Sequence, residues 1–328
     1  MDNKSSTSSR SPGDVEGEPV AKKTRLVHKT IIYDESIANQ WLDEPPLEVW
    51  DHHIIPLLSL RDLALSRTVC TFFEAYWQEK FSNNVLPLRV SHDVATIDRG
   101  MRVIEILSSR REYTKASPFV VLLGIGEHQI TSSWTNQHGY EYVTTLGISR
   151  SNITFVGSGK DTTTILGGIG IHDVENITFK NMTVTNTSGC GITMNHAKVE
   201  LFDVALKGCN NHALNIPPTT SATIVVATRC EFANSSSGAV VHGNLTISTF
   251  KNCVFNENEY NGFEGGNTVT IHLHGEDTAI HSNGRRGIIA YQSAKVILHL
   301  PSNHNTSYNN TRDDRRTTSG GTITNVED

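Results

Sequence analysis

The chain has 328 residues, enough for a large core and two folded units. A net charge of −6 and a pI near 6.2 give no global field favouring nucleic acid or an anionic membrane. Charged residues make up only 19% and aromatics 7%, which points to a β-rich protein with an uncharged polar surface rather than a helix-rich one.

Residues 1–35, rich in Ser, Gly and Glu and without apolar periodicity, are expected to be disordered. This stretch lacks the apolar segment of a secretory signal, and no run of about 18 apolar residues is present to span a membrane. Its basic cluster Lys22–Arg25 reads as solvated charge or as a nuclear-import address. The five cysteines, Cys70, Cys190, Cys209, Cys230 and Cys253, are odd in number and form no CxxC pair, so neither a zinc nor a redox motif is indicated. Together these features predict a soluble protein of a reducing compartment, cytoplasmic and/or nuclear. Asn-X-Ser/Thr triplets at Asn152, Asn176, Asn181, Asn186, Asn234, Asn244, Asn305 and Asn309 then read as repeat chemistry rather than glycosylation sites.

A helical block follows. Leu47, Trp50, Ile54, Leu57 and Leu58 recur at spacings of three and four, one face of a helix that Pro56 would kink or end. Pro45 and Pro46 suit its start. Leu60, Leu63, Val69, Cys70, Phe73 and Trp77 give one or two more short helices. Some forty residues are too few for a generous core, so the block should need a partner. Beyond it, Ile97, Met101, Ile104 and Leu107 mark an amphipathic helix, and "PFVVLLGIGEHQI" reads as a buried strand, a turn and a second strand.

From about Ser149 the pattern changes to short polar–apolar alternation that repeats. Val184, Leu206, Phe232, Phe255 and Ile280 form one apolar column, spanning 96 residues in four steps of 22, 26, 23 and 25. Eight residues after each stands another apolar residue, Ile192, Leu214, Val240, Phe263 and Ile288. Each of these is preceded by a small one: Gly191, Ala213, Ala239, Gly262 or Gly287. Strands are expected at "NITF" (Asn152 and Asn176), "KVEL" (Lys198), "TIVV" (Thr223), "NLTI" (Asn244), "TVTI" (Thr268) and "KVIL" (Lys295). A mean step of 24 residues filled by short strands fits one coil of a parallel β-helix, whose coils must stack to bury the column. Asn and Gly at the bends tolerate left-handed backbone, and stacked Asn side chains can bond from rung to rung. The helix near Ile97 is placed to plug the first, open end. The fold class is mainly β: a right-handed parallel β-helix over residues 90–328, with a small helical domain at 43–81.

Two resemblances attach to these residues. Residues 43–81 resemble an F-box through Pro45, Pro46, Leu47, Val49, Leu58, Leu60, Arg61, Asp62, Leu63, Val69, Cys70 and Phe73, although Glu44 replaces the usual Leu before Pro and "DHHII" adds residues. From Ile97 onward the chain resembles right-handed β-helix proteins of the pectin-active type and their non-catalytic relatives. The pairing implies the substrate-recognition subunit of an SKP1–cullin–F-box ubiquitin ligase. Pro45, Pro46, Leu47, Leu58, Leu60, Leu63, Val69, Cys70 and Phe73 would then dock an SKP1-like adaptor in the helix-in-groove manner, while the β-helix binds a protein target. The alternative is a carbohydrate-active or carbohydrate-binding β-helix protein.

The residues favour a non-catalytic reading with no cofactor. The resemblance to polygalacturonases would require Asn-Thr-Asp, Asp-Asp, Gly-His-Gly and Arg-Ile-Lys on successive coils, and these are absent in order. His242 and His274 echo only the His-Gly piece, and Asp313–Asp314 reads as a tail beyond the coils. Asp173, Glu175 and Asp203 are too sparse for the calcium cluster that a lyase resemblance implies. In "IHLH", His272 and His274 alternate onto one face, as a metal pair would, with His299 available from the next coil. The plainer reading is surface ladder histidines and no metal. Lys251, Arg285 and Arg286 are weighed as a lateral basic spot against solvated turns.

Overall fold

The structure, a computed structural model, describes residues 87–108, 112–136, 139–219, 221–300, 304 and 306–326. The tail at 1–35 and the helical domain at 43–81, with Pro45, Pro46, Leu47, Leu58, Leu60, Leu63, Val69, Cys70 and Phe73, lie outside the described residues.

What is described is a right-handed parallel β-helix. Three parallel sheets run along it. Sheet 1 stacks Leu88–Val90, Phe119–Leu123, Ile153–Val156, 177–180, 198–202, Thr223–Thr228, Thr246–Lys251, Thr270–His274, Lys295–His299 and Thr322–Asn325. Sheet 2 begins at Gly126–Gln129 and Thr163–Leu166 and runs through Glu231–Ala233, Val254–Asn256 and Ala279–His281 to Ser307–Tyr308. Sheet 3 stacks Thr145–Ile148, 168–171, 192–195, His212–Ile216, Ser237–His242, Phe263–Gly266, Ile288–Ala290 and Arg315–Thr317.

The repeat column is an inner row of sheet 2. Val184, Leu206, Phe232, Phe255 and Ile280 are successive rung partners, each fully buried. Phe232 stacks on Phe255 at 4.6 Å between ring centroids, and Phe155 on Phe179 at 5.0 Å in sheet 1. In-register parallel stacking places like side chains one rung apart, which is why aromatic pairs recur. The second column is corrected at one position. Leu214 pairs with Ala239, not Val240, and Ala239 pairs with Phe263. The step after Phe232 is seven residues instead of eight, and because side chains alternate with a period of two, the slip turns Val240 outward. The small residue of that coil is therefore Gly238, whose missing Cβ makes room for the Gly262 carbonyl of the next coil.

The bends follow the same economy. Asn152, Asn176, Asn181, Asn234 and Asn309 all have positive φ, so these triplet asparagines occupy left-handed corners. Others form a ladder: Asn258 Nδ2 donates to Asn283 Oδ1 at 2.9 Å, and Asn283 Nδ2 to Asn310 Oδ1 at 2.8 Å, each one coil apart. Asn258 and Asn283 are buried, and this network satisfies polar groups that could not otherwise leave water. Cys209, Cys230 and Cys253 are buried free thiols among the coils, and burial pushes Cys209 up to about 11.

At the first end, helix α1 (Ile97–Ser108) buries Ile97, Met101 and Ile104 in the common core, as expected of a plug. The side chain of Leu107 lies outside those described. At the other end Thr322–Asn325 is the last strand, stacked on Lys295–His299. Asp313 and Asp314 belong to the final coil: Asp313 Oδ2 accepts from Arg286 Nε at 3.2 Å, and Asp314 Oδ1 from Asn310 Nδ2 at 2.8 Å.

Candidate functional site

The outer face of sheet 3 carries the densest chemistry of the described residues. Its register sets Gly147, Gly170, Thr193, Asn215, Val240, Glu264, Ile289 and Arg316 in one outward row. At roughly 4.8 Å per rung this row is on the order of 30 Å long.

One end is covered by a hairpin. Trp134–Thr135 pairs antiparallel with Glu141–Tyr142, and the two rings lie 5.3 Å apart. Trp134 rests on bare backbone: a Cβ at Gly147 would come within 2.6 Å of its ring, and one at Gly170 would run into it. Beside this half-buried ring is a cleft of about 130 Å³ lined by Trp134, Tyr142, Thr193, Asn186, Cys190 and Asn211. It is smaller than the roughly 300–1,000 Å³ of an enclosed small-molecule pocket.

Several rungs away lies a polar cluster. His242, Gly266 and Tyr291 each stand three residues beyond a core residue of sheet 3: Ala239, Phe263 and Ile288. The side chains of His242 and Tyr291 meet over Gly266, sharing a 2.8 Å hydrogen bond between the phenol oxygen and Nε2. A Cβ at Gly266 would come within 2.8 Å of the Tyr291 ring and 3.0 Å of His242, so the pair depends on that glycine. Glu264, in the adjacent outer row, accepts from Asn261 Nδ2 at 2.9 Å.

Burial lowers the pKa of His242 and His212, outweighing the opposing pull of the Glu264 carboxylate. Burial, reinforced by Glu264, raises that of Tyr291. At neutral pH the cluster therefore holds neutral imidazoles beside a protonated phenol, able to pass a proton along one hydrogen bond. On the same face His212 Nδ1 and Asn195 Oδ1 are buried and lack a protein partner. Groups of that kind gain a hydrogen bond when a polar ligand arrives.

The other residues singled out in the sequence fall elsewhere. Asp173, Glu175 and Asp203 form no cluster; each bonds a side chain one coil on. Asp173 bonds His196, Glu175 accepts from Lys198 at 2.9 Å, and Asp203 accepts from Arg229 at 2.8 Å. Lys251 stands on sheet 1, whereas Arg286 leads into sheet 3 and Arg285 covers the Tyr260 ring at 4.3 Å, so no shared basic spot forms. His272, His274 and His299 do come together, on the outer face of sheet 1. Trp134, Asn261, Glu264 and Tyr291 are absent from the sequence reading. The signal that identifies His242 and Tyr291 is their common offset from the core column, which the Val240 assignment obscured.

No family model and no curated protein matches the chain. Among solved structures it is similar to the A-module of the mannuronan C-5 epimerase AlgE6 of Azotobacter vinelandii, with 16% identity over 62% of this chain and 59% of that one, TM-score 0.48. It is also similar to a pectin methylesterase in complex with hexasaccharide VII, with 12% identity over 75% and 94%, TM-score 0.45. A third is pectin methylesterase from carrot, with 11% identity over 75% and 87%, TM-score 0.42. The chain thus spans just under 60% of the epimerase module. The class defined by the three sheets and their register is the right-handed parallel β-helix.

Proposed function

We propose that the protein binds an extended, uncharged polysaccharide along the outer face of sheet 3. The observation that carries this reading is the continuity of that face, from the Trp134–Tyr142 platform to the Tyr291–His242–Glu264 cluster, on one rigid sheet. Aromatic faces cover the C–H faces of sugar rings, and amide, imidazole and phenol groups supply directional bonds to hydroxyls. Charge selects the class. Among the strand segments of sheet 3, Glu264 is the one acidic residue, and Lys and Arg appear only in the last rung, at Arg315 and Arg316. A polyuronide would meet Glu264 with little to balance its own carboxylates, whereas a neutral chain would not. Hydrolysis by paired carboxylates requires two such groups across the scissile bond, and these strands supply one, so the reading is of binding.

The test is affinity electrophoresis of the full chain in gels containing xyloglucan, a soluble β-glucan or polygalacturonate, beside Trp134→Ala and Tyr291→Ala. Retardation by a neutral glycan, lost in both variants, supports the reading; indifference to all three, or equal retardation of the variants, overturns it. Reducing-end release in the same mixtures would show turnover.

A second reading is favoured by the motif Leu58, Leu60, Leu63, Val69, Cys70 and Phe73: that this segment docks an SKP1-like adaptor of a cullin ligase, making the β-helix a target receptor. Capture of the adaptor by the wild-type chain, and its loss in Leu63→Asp with Val69→Asp, supports it. A folded wild type that captures none excludes it.

A further inference from the structure

The outer face of sheet 1 carries three histidines that the glycan reading does not use. His272 and His274 alternate on Thr270–His274 and so share the outer face, and His299 is the rung partner of His274 on the next coil. His272 Nδ1 lies 2.9 Å from His299 Nε2. The His274 and His299 rings stack at 4.0 Å, 12° from parallel. One ring nitrogen from each residue lies within 4.8 Å of the others, and all three side chains are half-buried.

We propose that His272, His274 and His299 form a binding site for a divalent d-block cation of the zinc class. Three imidazoles with no carboxylate or thiolate select zinc, copper, nickel or cobalt over calcium or magnesium, which require oxygen ligands. Bonds of 2.0–2.1 Å in a tetrahedron set ligand nitrogens about 3.3 Å apart. The observed spread is close enough for side-chain rotations to supply the difference. Strands fix the three Cα positions, so little backbone freedom is lost on binding.

Binding replaces the proton shared by His272 and His299. The donor ring re-forms its N–H on the other nitrogen, and no net proton leaves. Three protein ligands leave a fourth position open to water, the arrangement of an exchangeable site rather than a closed structural one. The surroundings set the strength. Ile297, the rung partner of His272, is an apolar neighbour, whereas Lys251, the rung partner of His274 on the preceding coil, places a cation nearby. That charge weakens binding, and removing it should strengthen binding.

The experiment is equilibrium dialysis of the full metal-stripped chain against Zn²⁺, with Co²⁺ as the spectroscopic probe. The proposal expects one equivalent of Zn²⁺, the visible bands of tetrahedral Co²⁺, at least tenfold weaker binding in His274→Gln and in His299→Gln, and tighter binding in Lys251→Met. His281→Gln, which removes a half-buried histidine stacked on Tyr308 away from the three, should leave the stoichiometry unchanged. If either ligand variant fails to fold, His272→Gln replaces it, with circular dichroism confirming the coil. Zinc bound equally by wild type and ligand variants, cobalt bands of octahedral type, or no equivalent bound at all would overturn the proposal.

Discussion

Gly266 shows how one absent side chain can set a site. Its backbone is not forced to positive φ, so alanine is conformationally acceptable there; what a Cβ removes is the space in which Tyr291 and His242 meet. Gly266→Ala should separate the pair, admit water and let the pKa of His242 rise toward its ordinary value. Titration of the His242 ring by NMR measures this directly, and an unchanged titration would show that the glycine is not what holds the pair together. Ser248 is the converse case, a polar residue where an apolar one belongs. It is fully buried in an inner row of sheet 1 between Val225 and Ile271, and its Oγ lacks a partner. An unsatisfied buried hydroxyl costs about 1–3 kcal/mol. Ser248→Ala should therefore raise the urea midpoint, by about 1 kcal/mol of stability, without altering the slope. A lower midpoint would mean that the hydroxyl has a partner after all, such as a buried water.

The Asn258–Asn283–Asn310 ladder is the element on which the later coils depend. Asn283 Nδ2 donates to the Phe255 and His281 carbonyls at 3.1 and 3.0 Å and to Asn310 Oδ1, while its Oδ1 accepts from Asn258. Asn283→Ala would strand several buried groups at once. The expected loss is about 3 kcal/mol or more. Solenoid stability is a sum over repeats and nearest-neighbour interfaces, so the damage should be local. Hydrogen exchange should quicken first from residue 280 onward while α1 and the early coils keep their protection; uniform quickening would show a single cooperative unit.

The elements also differ in how far the sequence foretold them. The column from Val184 to Ile280 was legible because each member fills the same inner row, so hydrophobicity recurs whatever the loop lengths. The site was not. Its outward residues follow no hydrophobic rule, and their alignment depends on register. A single shortened bend between Phe232 and Ala239 is enough to hide that Glu264 lies beside Val240 and that His242 faces Tyr291. The same coil places Thr246 and Ser248 inside and Ile247 outside, an inversion that a search for alternating apolar residues misreads.

At the scale of the whole molecule, the histidines make stability depend on pH. His212, His242 and His272 all have their pKa values lowered, in each case chiefly by burial. In the unfolded chain they return to the ordinary range near 6.5 and bind protons more readily. Stability rises with pH wherever the unfolded state holds more protons, so the contribution of these groups is complete above about pH 7 and is lost as the pH falls through 6.5 and below. Thermal unfolding between pH 7.5 and 5 should show a falling Tm, more steeply than carboxylate titration alone would give over that range. Replacing His242 and His212 together by Gln, which carries no titrating group, should flatten the profile. Adding His272→Gln should flatten it further by a smaller step, because that ring is less deeply placed than the other two. An unaltered slope in the triple variant would assign the acid sensitivity to groups other than these three histidines. Saturating Zn²⁺ separates the two faces in the same experiment. A metal held by His272, His274 and His299 stabilises the folded state by mass action and is displaced as those rings protonate. With zinc present the profile should therefore steepen through sheet 1, while the contribution of His212 and His242 on sheet 3 stays as it was.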